Sequence, residues 1–333
     1  MRAVRRRHGD REIGGRFHRP VSPSVCLPVF LLALALVALT FNFSSLAQSG
    51  KRSGAHSSIP RDNFSATDRS TVEKAIGTAC AERIRDPLGS SPIDEMQARP
   101  SLSASNPDAV AGARRADRLL PATRKLVANA IVELAKEYGL YDAPSYHARV
   151  IAASARVQAV KRIRPNVDAR DNASVLLRDP RVIEFGTIFL AGLKSDEAMV
   201  SVLGHELTHV ASGQSDFLRP LFRAIARRAA GRTNLVISGQ RAEELACDLV
   251  GLIATRQFIN ETPSWEPPPR RIARAVEHNC VDDDSSDEDH LSPRNTIRAL
   301  FALDLDLARE LLATETKASS PRLIPLTARA AAF

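Results

Sequence analysis

The amino-acid sequence predicts an α+β fold that is mainly helical, in which a central helix packs on a small sheet or hairpin. Apolar residues recur at helical spacing from Asp117 onward. Residues 172–177 and 182–190 are two strand-like runs joined by a turn at 178–181. Further helical segments follow them. With 333 residues, 44% of them hydrophobic, the chain has ample material for a buried core.

The elements follow one another in a simple order along the chain. The first helix of the folded domain begins near Asp117 and ends before Gly139, which is expected to be its C-cap. Residues 150–160 fit either a strand or the start of a mixed segment. After the two strands, Ser195 is placed to cap a helix whose first turn carries two acidic residues. The predicted helices after the strands span residues 195–212, 242–258 and 296–313.

The net charge of +8 is concentrated at the start of the chain. Residues 1–20 contain seven arginines against two acidic residues, and residues 21–47 carry no charge. The remaining chain is therefore nearly neutral, which excludes an electrostatic argument for nucleic-acid binding.

The first 47 residues have the pattern of an export segment. A basic stretch ending at Arg19 precedes the apolar run Val29–Phe41, and Ala47 closes a small-x-small cleavage pattern. Residues 1–47 are predicted to be a cleaved signal peptide or an uncleaved N-terminal membrane anchor. Both alternatives place the rest of the chain in the periplasm or on the outer face of the membrane.

The remaining chain divides by composition into three parts. Residues 48–116 are predicted to be a flexible linker region with one short helix at 71–85. Residues 117–313 form the predicted folded domain, and residues 314–333 a flexible tail. Within the domain, residues 214–238 form an arginine-rich amphipathic insert. Its apolar stripe is compatible with an anionic membrane surface and equally with a helix packed over the cleft.

The residues that carry chemistry begin with the sequence HExxH, formed by His205, Glu206 and His209. Two histidines four residues apart share one helix face and can bind one metal ion, and the intervening glutamate can take a proton from water. The alternative is a pair of structural helix histidines. A capped helix start and the apolar residues around the motif favour the metal site.

A catalytic zinc site needs a third protein ligand, and the predicted helix at 242–258 offers one. Glu244 and Asp248 lie one turn apart, so Glu244 can bind the metal while Asp248 accepts a hydrogen bond from a ligand histidine. Helix geometry alone also leaves Glu243 open as the ligand.

HExxH followed by Glu244-x-x-x-Asp248 resembles the gluzincin metallopeptidases of the CaaX prenyl endopeptidase and the bacterial heat-shock membrane protease, the forty-eighth metallopeptidase family. The resemblance covers about residues 117–313. It implies a zincin-like metalloprotease domain with its active-site helix on a small sheet or hairpin. It also implies one Zn²⁺ per subunit held by His205, His209 and Glu244, with Glu206 as the catalytic base.

Two positions depart from the family pattern. His290 stands loosely where that family has a histidine that stabilises the oxyanion or closes the fourth zinc position, and a solvated loop histidine is the alternative. Cys247 occupies a position that is often small in the family. It is interpreted as a buried helix thiol, with metal competition or pairing with Cys280 as alternatives. Cys80 is the other cysteine beyond residue 47.

The sequence therefore predicts an exported zinc-dependent endopeptidase acting on proteins or peptides in cell-envelope quality control or processing. The outer strand, within residues 182–190, is expected to pair with an extended substrate. No nucleic-acid partner is expected, and an uncleaved N-terminal segment would add a membrane contact. A zinc-containing envelope chaperone or binding protein with a plugged site is the alternative. In a third interpretation the chain is a structural lipid- or wall-associated protein in which HExxH is accidental.

Overall fold

The computed structural model describes residues 64–81, 102–170, 172–175, 179–213, 216–280, 286 and 288–318. The predicted export segment 1–47 lies outside these residues. The described helices are α1 (Ala66–Ala79), α2 (Pro107–Glu137), α3 (Pro144–Ala159), α4 (Thr187–Gly192), α5 (Asp196–Ser212), α6 (Arg219–Thr233), α7 (Gln240–Glu261), α8 (Pro268–Val276), α9 (Pro293–Leu303) and α10 (Leu305–Ala318). The strands are β1 (Arg162–Asn166), β2 (Ala173–Val175) and β3 (Val182–Gly186).

The prediction of a mainly helical α+β fold with a small sheet is confirmed. The sheet has the order β1-β3-β2, with β1 parallel and β2 antiparallel to the central strand β3. Within the undecided segment 150–160, residues 150–159 belong to helix α3, and β1 begins at Arg162.

The second predicted strand, residues 182–190, is wrong in its last part. β3 ends at Gly186, and the next six residues form α4. A Cβ at Gly186 would lie 1.9 Å from the Arg170 carbonyl oxygen, so the chain crosses a neighbouring loop there without room for a side chain. The Arg170 carbonyl accepts from the Ile188 amide at 3.1 Å and turns the chain out of the sheet. A short apolar run looks the same in a buried strand and a buried helix.

Helix α5 lies at the centre of the described fold. The predicted cap is confirmed, because the Ser195 hydroxyl accepts from the Ala198 amide at 3.0 Å. The helix ends at Ser212, before Gly213 with its positive φ of 55°. α5 packs against α2, α3, α7 and α8, and nearly all its side chains are buried. Core burial of this kind holds the HExxH residues on a rigid element.

The domain begins earlier than the predicted residue 117. Helix α2 starts at Pro107, where the Asn106 side chain accepts from the amides of Asp108 and Ala109 at 3.0 and 3.3 Å. A capping asparagine followed by proline at the first helical position is a strong helix start. The prediction that residues 107–116 belong to a linker is therefore wrong. The expected helix end is confirmed, since Gly139 has a φ of 65° just after α2.

Helix α1 also belongs to the core. It was predicted at residues 71–85 within a flexible linker, but it spans Ala66–Ala79 and packs against α9 and α10. Its buried residues are Val72, Ala75, Ile76 and Ala79. At the other end of the chain, α10 continues to Ala318, so the predicted tail begins later than residue 314.

Cys80 and Cys280 form a disulfide, and Cys247 is a buried free thiol. The alternative in which Cys247 pairs with Cys280 is therefore wrong, and the interpretation of Cys247 as a buried helix thiol is confirmed. The disulfide joins the end of α1 to the turn after α8, across 200 residues of sequence. It ties the N-terminal part of the described fold to its C-terminal part.

The basic insert 214–238 contains α6, whose apolar stripe faces the protein. Leu221 and Ile225 are fully buried and Phe222 nearly so, and the helix packs against α7 and α9. The stripe is therefore not available to a membrane surface. Within the described ranges, no helix is both long enough and apolar enough to cross a membrane.

Candidate metal centre

Two helices bring three potential metal ligands to one point. His205 and His209 lie on successive turns of α5, and Glu244 reaches them from the first half of α7. The two histidine Nε2 atoms are 3.1 Å apart, and Glu244 Oε2 lies 3.2 Å from the first and 3.4 Å from the second. These residues form a group that could hold a metal ion, with all ligand atoms within 4.8 Å of one another.

A second pair of carboxylates orients the imidazoles. His205 Nδ1–H donates to Asp248 Oδ1 at 2.7 Å, and His209 Nδ1–H donates to Glu243 Oε1 at 3.1 Å. Each distal ring nitrogen thus holds a proton, which leaves the Nε2 lone pair free for a metal. Asp248 lies where the sequence predicted it. Glu243 contacts His209 from behind, whereas Glu244 reaches the centre.

Close packing of α5 on α7 makes this convergence geometrically feasible. The helices touch at Gly204 and Gly251, where a Cβ on Gly204 would lie 2.7 Å from the Gly251 Cα. A Cβ on Gly251 would lie 2.4 Å from the Ser201 carbonyl oxygen and 3.2 Å from the His205 amide nitrogen. Only glycine fits at such a crossing, and both glycines lie within one turn of site residues. Neither glycine stands out in the sequence, because the approach of two helices distant in the chain leaves no local pattern.

The charges of the site favour a cation. Burial opposes protonation of His205, but the Asp248 and Glu244 side chains together outweigh it and raise the pKa of the imidazole well above its usual value. Burial would raise the pKa of Glu244, yet the adjacent His205 and His209 side chains hold it below its usual range. With Glu206 and Glu243, four carboxyl groups surround two imidazoles. This surplus of negative charge suits a divalent metal ion.

Glu206 is the group best suited to proton transfer. It is buried, with 6% of its surface exposed, yet it lines the cleft beside the two histidines. Burial raises the pKa of its carboxyl group, and the charges of His205 and His209 only partly oppose this. It accepts no hydrogen bond from the part of the chain that the structure describes, so its oxygens remain available to water.

The three candidate ligands line a cleft of about 560 Å³. One wall is β2, an edge strand, and the expectation that the substrate-pairing strand lies within residues 182–190 is wrong. β3 is the central strand, with both edges paired, so it has no free edge for a peptide. The cleft lining also includes Arg156 from α3, whose guanidinium lies 5.4 Å from the Phe217 ring centre. No pattern in the sequence pointed to Arg156.

His290 lies at the rim of the cleft. Its Nε2 atom is 3.6 Å from Glu244 Oε2, and 58% of its side chain is exposed. The structure therefore brings His290 to the predicted place, although it stands outside the group of three ligands.

Cys247 lies behind the site. Its Sγ is 3.6 Å from His209 Nδ1, on the side of the ring away from the ligand cluster, and burial raises the pKa of the thiol. Both features are those of a packed thiol and not of a competing metal ligand.

Comparisons of the chain with protein-family models, with curated proteins and with solved structures found no match. The site geometry is therefore the basis for a functional assignment.

Proposed function

We propose that this protein is an exported zinc-dependent endopeptidase. The observation that carries the proposal is the convergence of His205, His209 and Glu244 beside the buried Glu206, in an open cleft. Two imidazoles and one carboxylate, each imidazole oriented by a further carboxylate, are a ligand set that suits zinc and leaves one position for water. The resemblance of HExxH and ExxxD to the gluzincin family supports the same reaction.

The protein side chains have separate roles in this proposal. Zinc, when bound, supplies Lewis acidity that polarises the scissile carbonyl and acidifies a water molecule. Glu206 takes the proton from the attacking water and gives it to the leaving amine. Its raised pKa suits both steps, because a carboxyl group with a pKa nearer neutrality exchanges protons more readily in both directions.

We propose that an extended peptide binds along β2. The residues of this strand line the same cleft as Glu206, and an edge strand offers unpaired backbone groups to a substrate. Backbone pairing tolerates many side chains, so exposed or unfolded protein segments are the expected substrates. This fits protein quality control or processing in the cell envelope.

The exported location has two supports. The basic and apolar segments of residues 1–47 have the pattern of an export signal or anchor. The Cys80–Cys280 disulfide suits an oxidising compartment such as the periplasm.

The direct test compares the wild type with Glu206→Gln, using an unfolded protein such as casein and assayed zinc content. We expect near-stoichiometric zinc in both proteins and a loss of cleavage by about 10²-fold to 10⁴-fold in the variant. Zinc loss in the variant would refute the role of Glu206 as a base that does not bind the metal. Failure of the wild type to bind zinc would refute the metal centre itself.

The position of His290 favours one alternative, a zinc-containing envelope chaperone or binding protein with a plugged site. Its imidazole lies close enough to Glu244 to approach the metal position after a small movement. In that case the wild type and Glu206→Gln both bind zinc and neither cleaves casein, whereas His290→Ala in the wild-type chain cleaves it.

A further inference from the structure

A second groove lies beside the candidate metal centre and has a different character. It has a volume of about 510 Å³ and runs between α6 and the segment that leads into α7. Its wall includes Arg219, Arg223 and Arg227, which are successive turns of one face of α6. Glu243 lines both this groove and the metal cleft, so the two spaces adjoin.

The charges in the groove do not cancel. Arg219 pairs with Asp216 at 3.2 Å, and Glu243 pairs with His209 at 3.1 Å. Arg223 and Arg227 are exposed and form no ion pair or hydrogen bond with the described residues. Three arginines therefore face two carboxylates in the lining, which leaves a surplus of positive charge on a concave surface, at the side of Arg223 and Arg227. A concave surface with a surplus of one sign favours a ligand of the opposite sign.

The groove is within reach of a bound substrate. Gln240, which lines the groove, donates from Nε2 to Glu244 Oε1 at 2.8 Å, so the groove wall begins one helical turn from a metal ligand. One turn is about 5.4 Å, and an extended peptide advances about 3.3 Å per residue. A side chain two or three residues from the scissile bond can therefore enter the groove.

We propose that this groove is a substrate subsite for acidic side chains, with Arg223 and Arg227 as the residues that determine the preference. This inference rests on the proposed endopeptidase function and names its substrate class: protein segments with Asp or Glu on one side of the cleaved bond. Guanidinium groups bind carboxylates through paired, charge-assisted hydrogen bonds. Because the groove lies to one side of the metal centre, the preference is confined to one side of the scissile bond.

The test uses quenched fluorescent peptides that are identical except for Glu or Gln at each position within four residues of the scissile bond. The wild type is expected to cleave the best Glu peptide with a kcat/KM about three to ten times that of its Gln partner at low salt. The difference declines as salt is added. In Arg223→Gln/Arg227→Gln, the preference is expected to be lost, so that the ratio of kcat/KM for the Glu peptide to that for its Gln partner falls to about one.

A matched control removes two positive charges elsewhere. Arg114 and Lys125 are exposed on α2 and lie outside the groove, so Arg114→Gln/Lys125→Gln keeps the preference. Equal loss in this control would show a general charge effect and overturn the subsite. A wild type without preference, or a preference that survives in Arg223→Gln/Arg227→Gln, would overturn it as well.

A binding measurement separates the subsite from the catalytic proposal. Zinc-loaded Glu206→Gln is expected to bind the Glu peptide more tightly than the Gln peptide by fluorescence anisotropy, and adding Arg223→Gln/Arg227→Gln removes the difference. If binding shows this difference while the wild type cleaves nothing, the endopeptidase fails and the acidic-peptide subsite stands. If the wild type cleaves both peptides and binding shows no difference, the subsite fails and the endopeptidase stands.

Discussion

At the scale of single residues, the candidate site depends on which ring nitrogen of each histidine forms a hydrogen bond with a carboxylate. Asp248 and Glu243 hold the two Nδ1 positions, and this directs both Nε2 atoms toward Glu244. The carboxylates behind the ligands therefore set the ring orientation and the tautomer, both of which a metal requires. A variant that keeps the shape of Asp248 but removes its charge isolates this contribution.

We predict that Asp248→Asn weakens zinc binding by about 10-fold to 100-fold, because the uncharged amide is a poorer acceptor for His205 Nδ1–H. Competition with a chelator of known affinity measures the change. Asp142 is exposed and forms no hydrogen bond or ion pair with the described residues, so Asp142→Asn is the matched control and is expected to bind zinc like the wild type. An unchanged affinity in Asp248→Asn would show that Asp248 does not support the ligand.

At the scale of elements, the site depends on how closely α5 and α7 approach. A methyl group on Gly251 would meet the Ser201 carbonyl oxygen at 2.4 Å and the His205 amide at 3.2 Å. Because both contacts are backbone atoms, the helices must separate. We predict that Gly251→Ala lowers the free energy of unfolding by about 1–3 kcal/mol and also weakens zinc binding.

Gly231 on α6 provides the comparison for this prediction. A Cβ there meets nothing within 4 Å, so Gly231→Ala is expected to be neutral or to stabilise by about 0.4–1 kcal/mol, with unchanged zinc affinity. Urea unfolding and chelator competition on the two variants measure both effects. Equal behaviour of Gly251→Ala and Gly231→Ala would refute the close crossing.

Local signals explain which elements the sequence could predict. Ser195, the HExxH spacing and the acids of α7 are set by residues a few positions apart, and the structure has α5 and α7 there. The pairing of β1 with β3 joins residues 162–166 to 182–186, and no local pattern encodes that pairing. Arg156 reaches the cleft through the packing of α3 on α5, which also depends on the whole fold.

At the scale of the whole molecule, the first and last parts of the described chain meet. α1 packs against α9 and α10, and Arg298 on α9 pairs with Glu73 on α1 at 2.6 Å. The Cys80–Cys280 disulfide adds a covalent link between the end of α1 and the turn after α8. The candidate metal ligands lie on α5 and α7, which pack directly against each other. Removal of the disulfide is therefore expected to lower the stability of the fold and to leave metal binding unchanged.

We predict that Cys80→Ser/Cys280→Ser lowers the Tm by on the order of 10 °C, because removing a cross-link over a long loop restores entropy to the unfolded chain. Zinc content is expected to stay near that of the wild type, since Cys247 and the ligands are unchanged. A reductant should lower the Tm of the wild type to that of the variant and leave the variant unaffected. A wild-type Tm that does not respond to reductant would exclude the disulfide. If the Cys80→Ser/Cys280→Ser variant also lost its zinc, the contact of α1 with the C-terminal helices would be needed to hold α5 and α7 in register.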